Sequence, residues 1–254
     1  MENFEATVVM PSLNEEKNVL AAITDTLKSF ADFGINGEII VINDGSTDRT
    51  KDVVTGAMTK DSRIRLINHD TSQGIGASFW DGVRSARGEI VTMFPGDNEN
   101  DPWETFQYYK LLEHVDIVIP FVFNRQVRSL FRNALSFIYR FIINTTFLVN
   151  FNYTNGTILY RKSVLDELTV TSTGFFFQTD ILIRSVKNGY LFAEVPYRLN
   201  MRNAGKSKAV SFPSLMKVMK GYLRLVSDVY FGRNGKSGRK FAEGSSTARR
   251  YEKL

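Results

Sequence analysis

The sequence predicts an α/β protein built on a mostly parallel, doubly wound sheet. Two observations carry that expectation. Short apolar runs ending in turn residues alternate with longer segments of helical periodicity, and this β-loop-α unit repeats three times before residue 102. Polar and acidic residues then follow the runs: SLNEE after the first, NDGSTDRT after the second and PGDNENDP after the fourth. Open α/β sheets bind their ligands at that carboxyl edge.

Taken in order, residues 7–10 (TVVM) read as a strand that Pro11 ends. A helix over 16–33 places Val19, Leu20, Ile23, Leu27 and Phe30 at helical spacing, and Gly34 and Gly37 close it. Residues 38–42 (EIIVI) form a second strand, which ends in the turn Asn43-Asp44-Gly45 with Ser46 or Thr47 placed to cap the next helix. Residues 63–67 are a third strand. Gly74 and Gly76 open the helix of SQGIGASFWDGVRSARGE, and residues 90–94 are a fourth strand. Beyond it the pattern predicts a helix over 102–113, a strand over 115–120, a helix over 124–143 and a strand over 155–160. A helix that begins near Asp180 and ends at Gly189, a strand over 191–196 and an amphipathic helix over 213–231 complete the body. The expected organisation is one domain over 1–231, with a nucleotide-binding half to about residue 101 and an acceptor half after it. Residues 232–254, rich in Gly, Ser, Lys and Arg, read as a disordered basic tail.

Composition narrows the function. The chain has 254 residues and 43% hydrophobic content, enough for a sizeable core. It has no cysteine, which excludes disulfides, thiolate metal sites and a cysteine nucleophile, and fits a cytoplasmic location. MENFEATVV has neither a basic n-region nor a long apolar run, so no signal peptide is expected. The net charge of +5 belongs to the tail, outside which 25 basic and 25 acidic residues balance. Residues 117–165 contain no Asp or Glu. Both asymmetries suggest an anionic partner. A basic excess confined to a tail, with no recognised motif, argues against nucleic acid.

Four stretches carry candidate chemistry. Asp97, Glu99 and Asp101 crowd three carboxylates into five residues, which repel unless a cation sits among them; a turn can point Asp97 and Glu99 at one ion. The same stretch also reads as a solvated acidic helix start. Gly74-x-Gly76 before a helix lets backbone N–H groups approach a phosphate, or lets the helix pack closely on a strand. Arg202, Lys206, Ser207 and Lys208 flank Gly205 with donors suited to a diphosphate or a phosphate acceptor. On the helix over 124–143, Arg125, Arg128, Arg132 and Arg140 fall within roughly 120° of arc, with apolar residues on the other faces. Such a helix suits a membrane interface, and its arginines and asparagines argue for lying on a bilayer rather than crossing it.

The ordered set VVMPSLNEE, IVINDGSTDRT, GIGASFWDGVRSARGEIV, PGDNENDP, GFFFQTDILIRSVKNGYLFAEVP and RNAGKSKA, spanning residues 7–208, resembles the inverting GT-A glycosyltransferases of family 2. Within that family it looks most like the dolichol-phosphate mannose synthase group, which glycosylates polyprenyl phosphates. The resemblance implies a Rossmann-like GT-A sheet with amphipathic helices at the acceptor side. It implies that Pro11, Asn14, Glu15 and Asp44 line the nucleotide pocket, with the loop at Gly74 and Gly76 beside it. The family's Asp-x-Asp element falls on Pro95 and Asp97, with Glu99 as the polar residue that follows. Pro95 thus removes one expected ligand for Mg²⁺ or Mn²⁺. Arg202, Gly205, Ser207 and Lys208 match the loop that closes over the donor, and Arg125, Arg132 and Ser207 would meet the acceptor phosphate.

The chemistry implied is transfer from a nucleoside-diphosphate sugar to a polyprenyl phosphate, by an enzyme peripheral to an anionic membrane surface at its inner face and without a transmembrane span. The leaving diphosphate needs neutralisation by a cation and by Arg202 or Lys208. A hydroxyl acceptor would need a base, for which Asp180 is the candidate. A phosphate acceptor is already anionic and needs only to be held. Two alternatives stand beside this reading: transfer to a saccharide hydroxyl, and a catalytically silent membrane scaffold. A nucleotidyltransferase would carry a basic Gly-rich loop after the first strand, where this chain has SLNEE.

Overall fold

The structure, a computed structural model, describes residues 3–124, 130–169, 172–198, 212–232 and 241–252; the side chains of residues 131, 132 and 212–214 fall outside that description. Its seven described strands are β1 (Ala6–Ser12), β2 (Gly37–Asp44), β3 (Ile64–His69), β4 (Ile90–Met93), β5 (Ile117–Val122), β6 (Leu159–Arg161) and β7 (Phe192–Tyr197). They form one sheet in the order β3-β2-β1-β4-β6-β5-β7. β6 runs antiparallel to β4 and β5, and the remaining pairings are parallel. The expected mostly parallel sheet is therefore present, and the carboxyl ends of β1, β2, β4 and β5 share one edge.

Side-chain alternation sorts the strands onto two apolar layers. Val9, Ile40, Ile42, Val91 and Met93 face one core, with Phe79 and Trp80 of α3 (Ile75–Ser85) and Ile181 and Leu182 of α7 (Phe177–Lys187). Val8, Met10, Ile39, Val41 and Ile90 face the other, covered by α1 (Val19–Phe33) and α2 (Thr50–Met58). Helix α3 lies close on β1 because residue 82 is glycine: a Cβ there would stand 2.3 Å from Val9 Cγ1. Glu38, the second residue of β2, is a fully buried acid. It accepts from Thr7 Oγ1 (2.9 Å), Arg87 N (2.7 Å) and Nη2 (2.6 Å), and Arg65 Nη1 (3.2 Å). Burial pushes its carboxyl up, but these bonds outweigh it and the net shift is downward.

Several boundaries differ from the sequence expectation. Pro11 does not end β1 but sits within it, paired with Ile42. Gly34 caps α1 in the left-handed conformation (φ 64°), whereas Gly37 begins β2 and leaves room for the Phe30 ring. Neither Ser46 nor Thr47 caps α2; Asp48 Oδ1 accepts from Thr50 N at 3.0 Å instead. The expected helix over 102–113 breaks into α4 (Pro102–Phe106), capped by Asp101, and a 3-10 turn over Tyr109–Glu113. The strand expected over 155–160 is only the three residues of β6. The helix expected over 124–143 is α5 (Leu130–Phe147), with residues 125–129 outside the description. A short helix α6 (Lys162–Asp166) follows β6, and α8 (Phe212–Phe231) matches the last predicted helix.

The tail is the largest correction. Residues 233–240 lie outside the description, but 241–252 are folded and contain α9 (Ser246–Tyr251). The buried carboxylate of Asp116, just before β5, accepts from Ser246 N (2.6 Å) and Thr247 N (3.2 Å) and from the Thr247 hydroxyl. These are first-turn amides that a helix cannot satisfy itself. Phe241 packs on Tyr190 (ring centroids 5.6 Å) and Tyr251 (5.0 Å). Residues 241–252 are ordered because they return to the sheet's amino edge and close a buried polar site.

Candidate active site

At the carboxyl edge, the loops after β1 and β2 are joined by side chain–backbone bonds. Asn14 adopts φ 59°. Its N–H donates to Ser46 Oγ (2.9 Å), and its Oδ1 accepts from Thr47 N (2.9 Å). Glu15 N donates to Thr50 Oγ1 (2.8 Å), and its carboxylate accepts from Asn18 Nδ2 (2.8 Å). Asn14 therefore braces the two loops, and Pro11 braces the next one: its carbonyl accepts from Gly96 N at 3.0 Å.

Asp44, buried at the end of β2, is bonded on both oxygens. Oδ1 accepts from Gln73 N (2.8 Å) and faces His69 Nδ1 (2.7 Å); Oδ2 accepts from Ser72 Oγ (2.7 Å) and Gly74 N (3.0 Å). Burial pushes the Asp44 carboxyl up, yet the His69 bond and the backbone donors outweigh it and hold it below its ordinary value. The Gly74 amide is thus committed to Asp44, and the Gly76 amide to Thr173 O (3.0 Å). A Cβ on Gly76 would stand 2.6 Å from the Thr173 backbone. Both amides are thus taken, which counts against the phosphate-cradle reading of this Gly-x-Gly; Gly76 allows close packing on Thr173, and Gly74 supplies φ 94° at the cap of α3. His69 was not legible as a site residue, because the sequence pattern ends β3 at residue 67. Two further residues of strand put His69 directly opposite Asp44.

The acidic turn after β4 is fixed against β1. Phe94 N donates to Val9 O (3.1 Å), and Gly96 lacks the Cβ that would meet Ser12 Oγ at 2.2 Å. Asn98 takes φ 55°, and Glu99 N donates to Asp97 Oδ1 at 3.1 Å. Asp101 is separated from the other two acids by its capping role: its Oδ1 accepts from Trp103 N (3.0 Å). No group of three or more metal-ligating side chains is assembled among the described residues. Asp97 and Glu99 are carboxylates, the oxygen-donor type that a hard divalent cation takes.

Asp180, in the first turn of α7, is 5% exposed, and its Oδ1 accepts from Arg184 Nε at 2.7 Å. Arg184 also bonds Asp228 of α8 (2.6 Å). The carboxylate forms part of a bridge between α7 and α8, which counts against Asp180 as a base. Arg125, Arg202, Ser207 and Lys208 lie outside the described residues; Arg132 lies in α5 with its side chain undescribed. Helix α5 exposes Phe137, Ile138 and Phe141, and α8 exposes Leu215, Met219 and Leu223. The two helices are tied by a 2.8 Å bond between the Thr146 and Tyr222 hydroxyls. No described helix is long and apolar enough to cross a membrane.

The sheet order and the polar carboxyl edge are those of the GT-A class of sugar-nucleotide enzymes. Glucosyl-3-phosphoglycerate synthase from Mycobacterium tuberculosis, solved with UDP, shares this fold with a TM-score of 0.66 at 18% identity, over 88% of this chain and 80% of that one. The same enzyme solved with Mn²⁺, UDP-glucose and phosphoglyceric acid gives 0.65 at 19% identity, over 88% and 80% of the two chains. The family model for glycosyl transferase family 2 matches residues 7–169, more than half of the chain. The chain belongs to that family. A dolichyl-phosphate beta-glucosyltransferase (ALG5C) of Trichomonas vaginalis is 34% identical over 96 residues, 36% of this chain and 28% of that one. A second from the same organism (ALG5D) is 35% identical over 94 residues, 35% and 29% of the two chains. The chain thus spans less than a third of the length of these curated relatives.

Proposed function

We propose that the protein transfers a sugar, with inversion, from a nucleoside-diphosphate sugar to a polyprenyl phosphate at a membrane surface. The observation that carries the acceptor class is the pair of exposed apolar stripes on α5 and α8, the first of them inside the stretch from 117 to 165 that has no acid. A polyprenyl phosphate keeps its chain in the bilayer and its phosphate at the surface, so an enzyme for it needs an apolar face beside an electropositive one. The names of the Trichomonas relatives agree with a lipid-phosphate acceptor.

In this reading an oxygen of the acceptor phosphate attacks the anomeric carbon, the bond to the donor's β-phosphate oxygen breaks, and the nucleoside diphosphate leaves. Asp97 and Glu99 would hold Mg²⁺ or Mn²⁺ against the donor diphosphate, and the ion would offset the charge that grows on the leaving group. Arg202 and Lys208 add positive charge to that group. Arg125, Arg132 and Ser207 hold the acceptor phosphate. The nucleophile is already anionic and needs no base, which is consistent with Asp180 being engaged by Arg184. Transfer to a saccharide hydroxyl would require a base that Asp180 is poorly placed to be.

Sedimentation with anionic liposomes tests the membrane part. The chain is expected to pellet at low salt. Phe141, 62% exposed on α5, should insert its ring, so Phe141→Asp should weaken binding at every salt concentration. Losing the burial of one large apolar side chain is worth about 2 kcal/mol, or roughly thirtyfold in partition. A wild-type chain that stays in the supernatant at low salt would contradict the lipid acceptor and favour a soluble saccharide.

A further inference from the structure

His69 links the nucleotide edge to helix α3. Its side chain is 6% exposed. Nδ1 lies 2.7 Å from Asp44 Oδ1, and Nε2 lies 2.9 Å from Asp81 Oδ2 in α3. The other Asp81 oxygen takes the Arg84 guanidinium. A protonated imidazole donates at both nitrogens, whereas a neutral one can donate to only one of the two carboxylates. Asp44, with two donors on each oxygen, has used about all the lone-pair positions a carboxylate offers.

That saturation changes what Asp44 can do. Its acceptor sites are spent on residues 72–74 and His69. The loop is also pressed onto the turn beside Asp44: Gly45 has φ 75°, and a Cβ on it would stand 2.7 Å from Ser72 N. On its far side the loop is held through Gly76 to Thr173, three residues before the cap of α7. We propose that Asp44, His69 and Asp81 form a buried positioning relay that fixes loop 72–74 as the wall of the nucleotide pocket. Asp44 then supports nucleotide binding through that wall rather than by touching the base. His69 and Asp81 are positioning residues for the donor. The proposal rests on the sugar-nucleotide donor of the reading above, and not on its acceptor.

Two replacements of His69 separate this role from bulk stability. In His69→Asn the side-chain Nδ2 can take the place of Nδ1 and still donate to Asp44. In His69→Gln the Nε2 can reach towards Asp81, and the Asp44 bond is lost. Calorimetry with UDP, GDP and dTDP as probes, with melting temperatures in parallel, reads the outcome. Expected is a nucleotide Kd about tenfold weaker in His69→Gln, the scale of one lost bond to a charged group, and within about threefold of wild type in His69→Asn. The donor KM should follow the Kd more closely than kcat does. If both variants melt lower yet bind like wild type, or weaken alike in step with melting temperature, the relay is only structural and the proposal is overturned. Should His69→Gln not fold, Asp81→Asn decides the same point: it removes one charge from the relay and should weaken nucleotide binding about threefold, and an unchanged Kd overturns the proposal. A wild-type chain that binds none of the three nucleotides contradicts the donor reading itself, and the relay's role with it.

Discussion

Asp97→Asn lowers turnover by about a hundredfold to a thousandfold and leaves the fold intact. The magnitude is that of removing one electrostatic contact from a developing charge in a water-poor site. The amide keeps the shape of the carboxylate, and its oxygen can still accept from Glu99 N, the bond that shapes the turn in the native chain. What it loses is the negative charge that, with Glu99, would hold the cation on the donor diphosphate. The defect should be deepest at limiting Mn²⁺ and partly relieved at high Mn²⁺. Turnover measured across a Mn²⁺ titration checks this, alongside the melting temperature. Near wild-type rates at limiting metal would remove Asp97 from the cation site and return the turn to a solvated helix start.

The largest effect on stability is expected at the opposite edge of the sheet. Asp116 is fully buried and meets the first amides of α9 and, at 3.6 Å, the guanidinium of Arg161. Asp116→Ala strands a buried arginine and two helix amides together. Breaking a buried charged pair by removing one partner costs about 3–5 kcal/mol. Deleting residues 241–254 should cost a similar amount, because Asp116 then keeps its charge and loses α9. Urea unfolding of both variants checks the magnitude. The residues proposed to hold the donor stand at the other end of the strands, so turnover per folded molecule should change little. A loss below 1 kcal/mol in both variants would mean that α9 is a loosely held appendage.

How much was legible follows from the range of each interaction. The three β-loop-α units could be read because their periodicity and breakers are local, and the loops carrying Asn14, Asp44 and Asp97 came with them. Asp101 followed by Pro102 likewise announced a helix start, which α4 has. The rest depends on pairings far apart in the chain. Ser246 and Asp116 are separated by 130 residues, so composition alone makes 241–252 look disordered. Asp44 looks like a free acid until β3 extends to His69 and supplies its partner. The Gly74 and Gly76 amides look available until Asp44 and Thr173 claim them. Beyond residue 101, a strand of three residues and an interrupted helix over 102–113 carry too little periodicity to set their own boundaries.

The most direct measurement is transfer of a radiolabelled sugar from a panel of UDP-, GDP- and dTDP-sugars, with Mn²⁺, to a polyprenyl phosphate in detergent micelles, followed by partition between organic solvent and water. The account predicts label in the organic phase from at least one donor, dependent on the polyprenyl phosphate and lost in Asp97→Asn. Label that stays in water with every donor, while a soluble saccharide acceptor is glycosylated in its place, would contradict it.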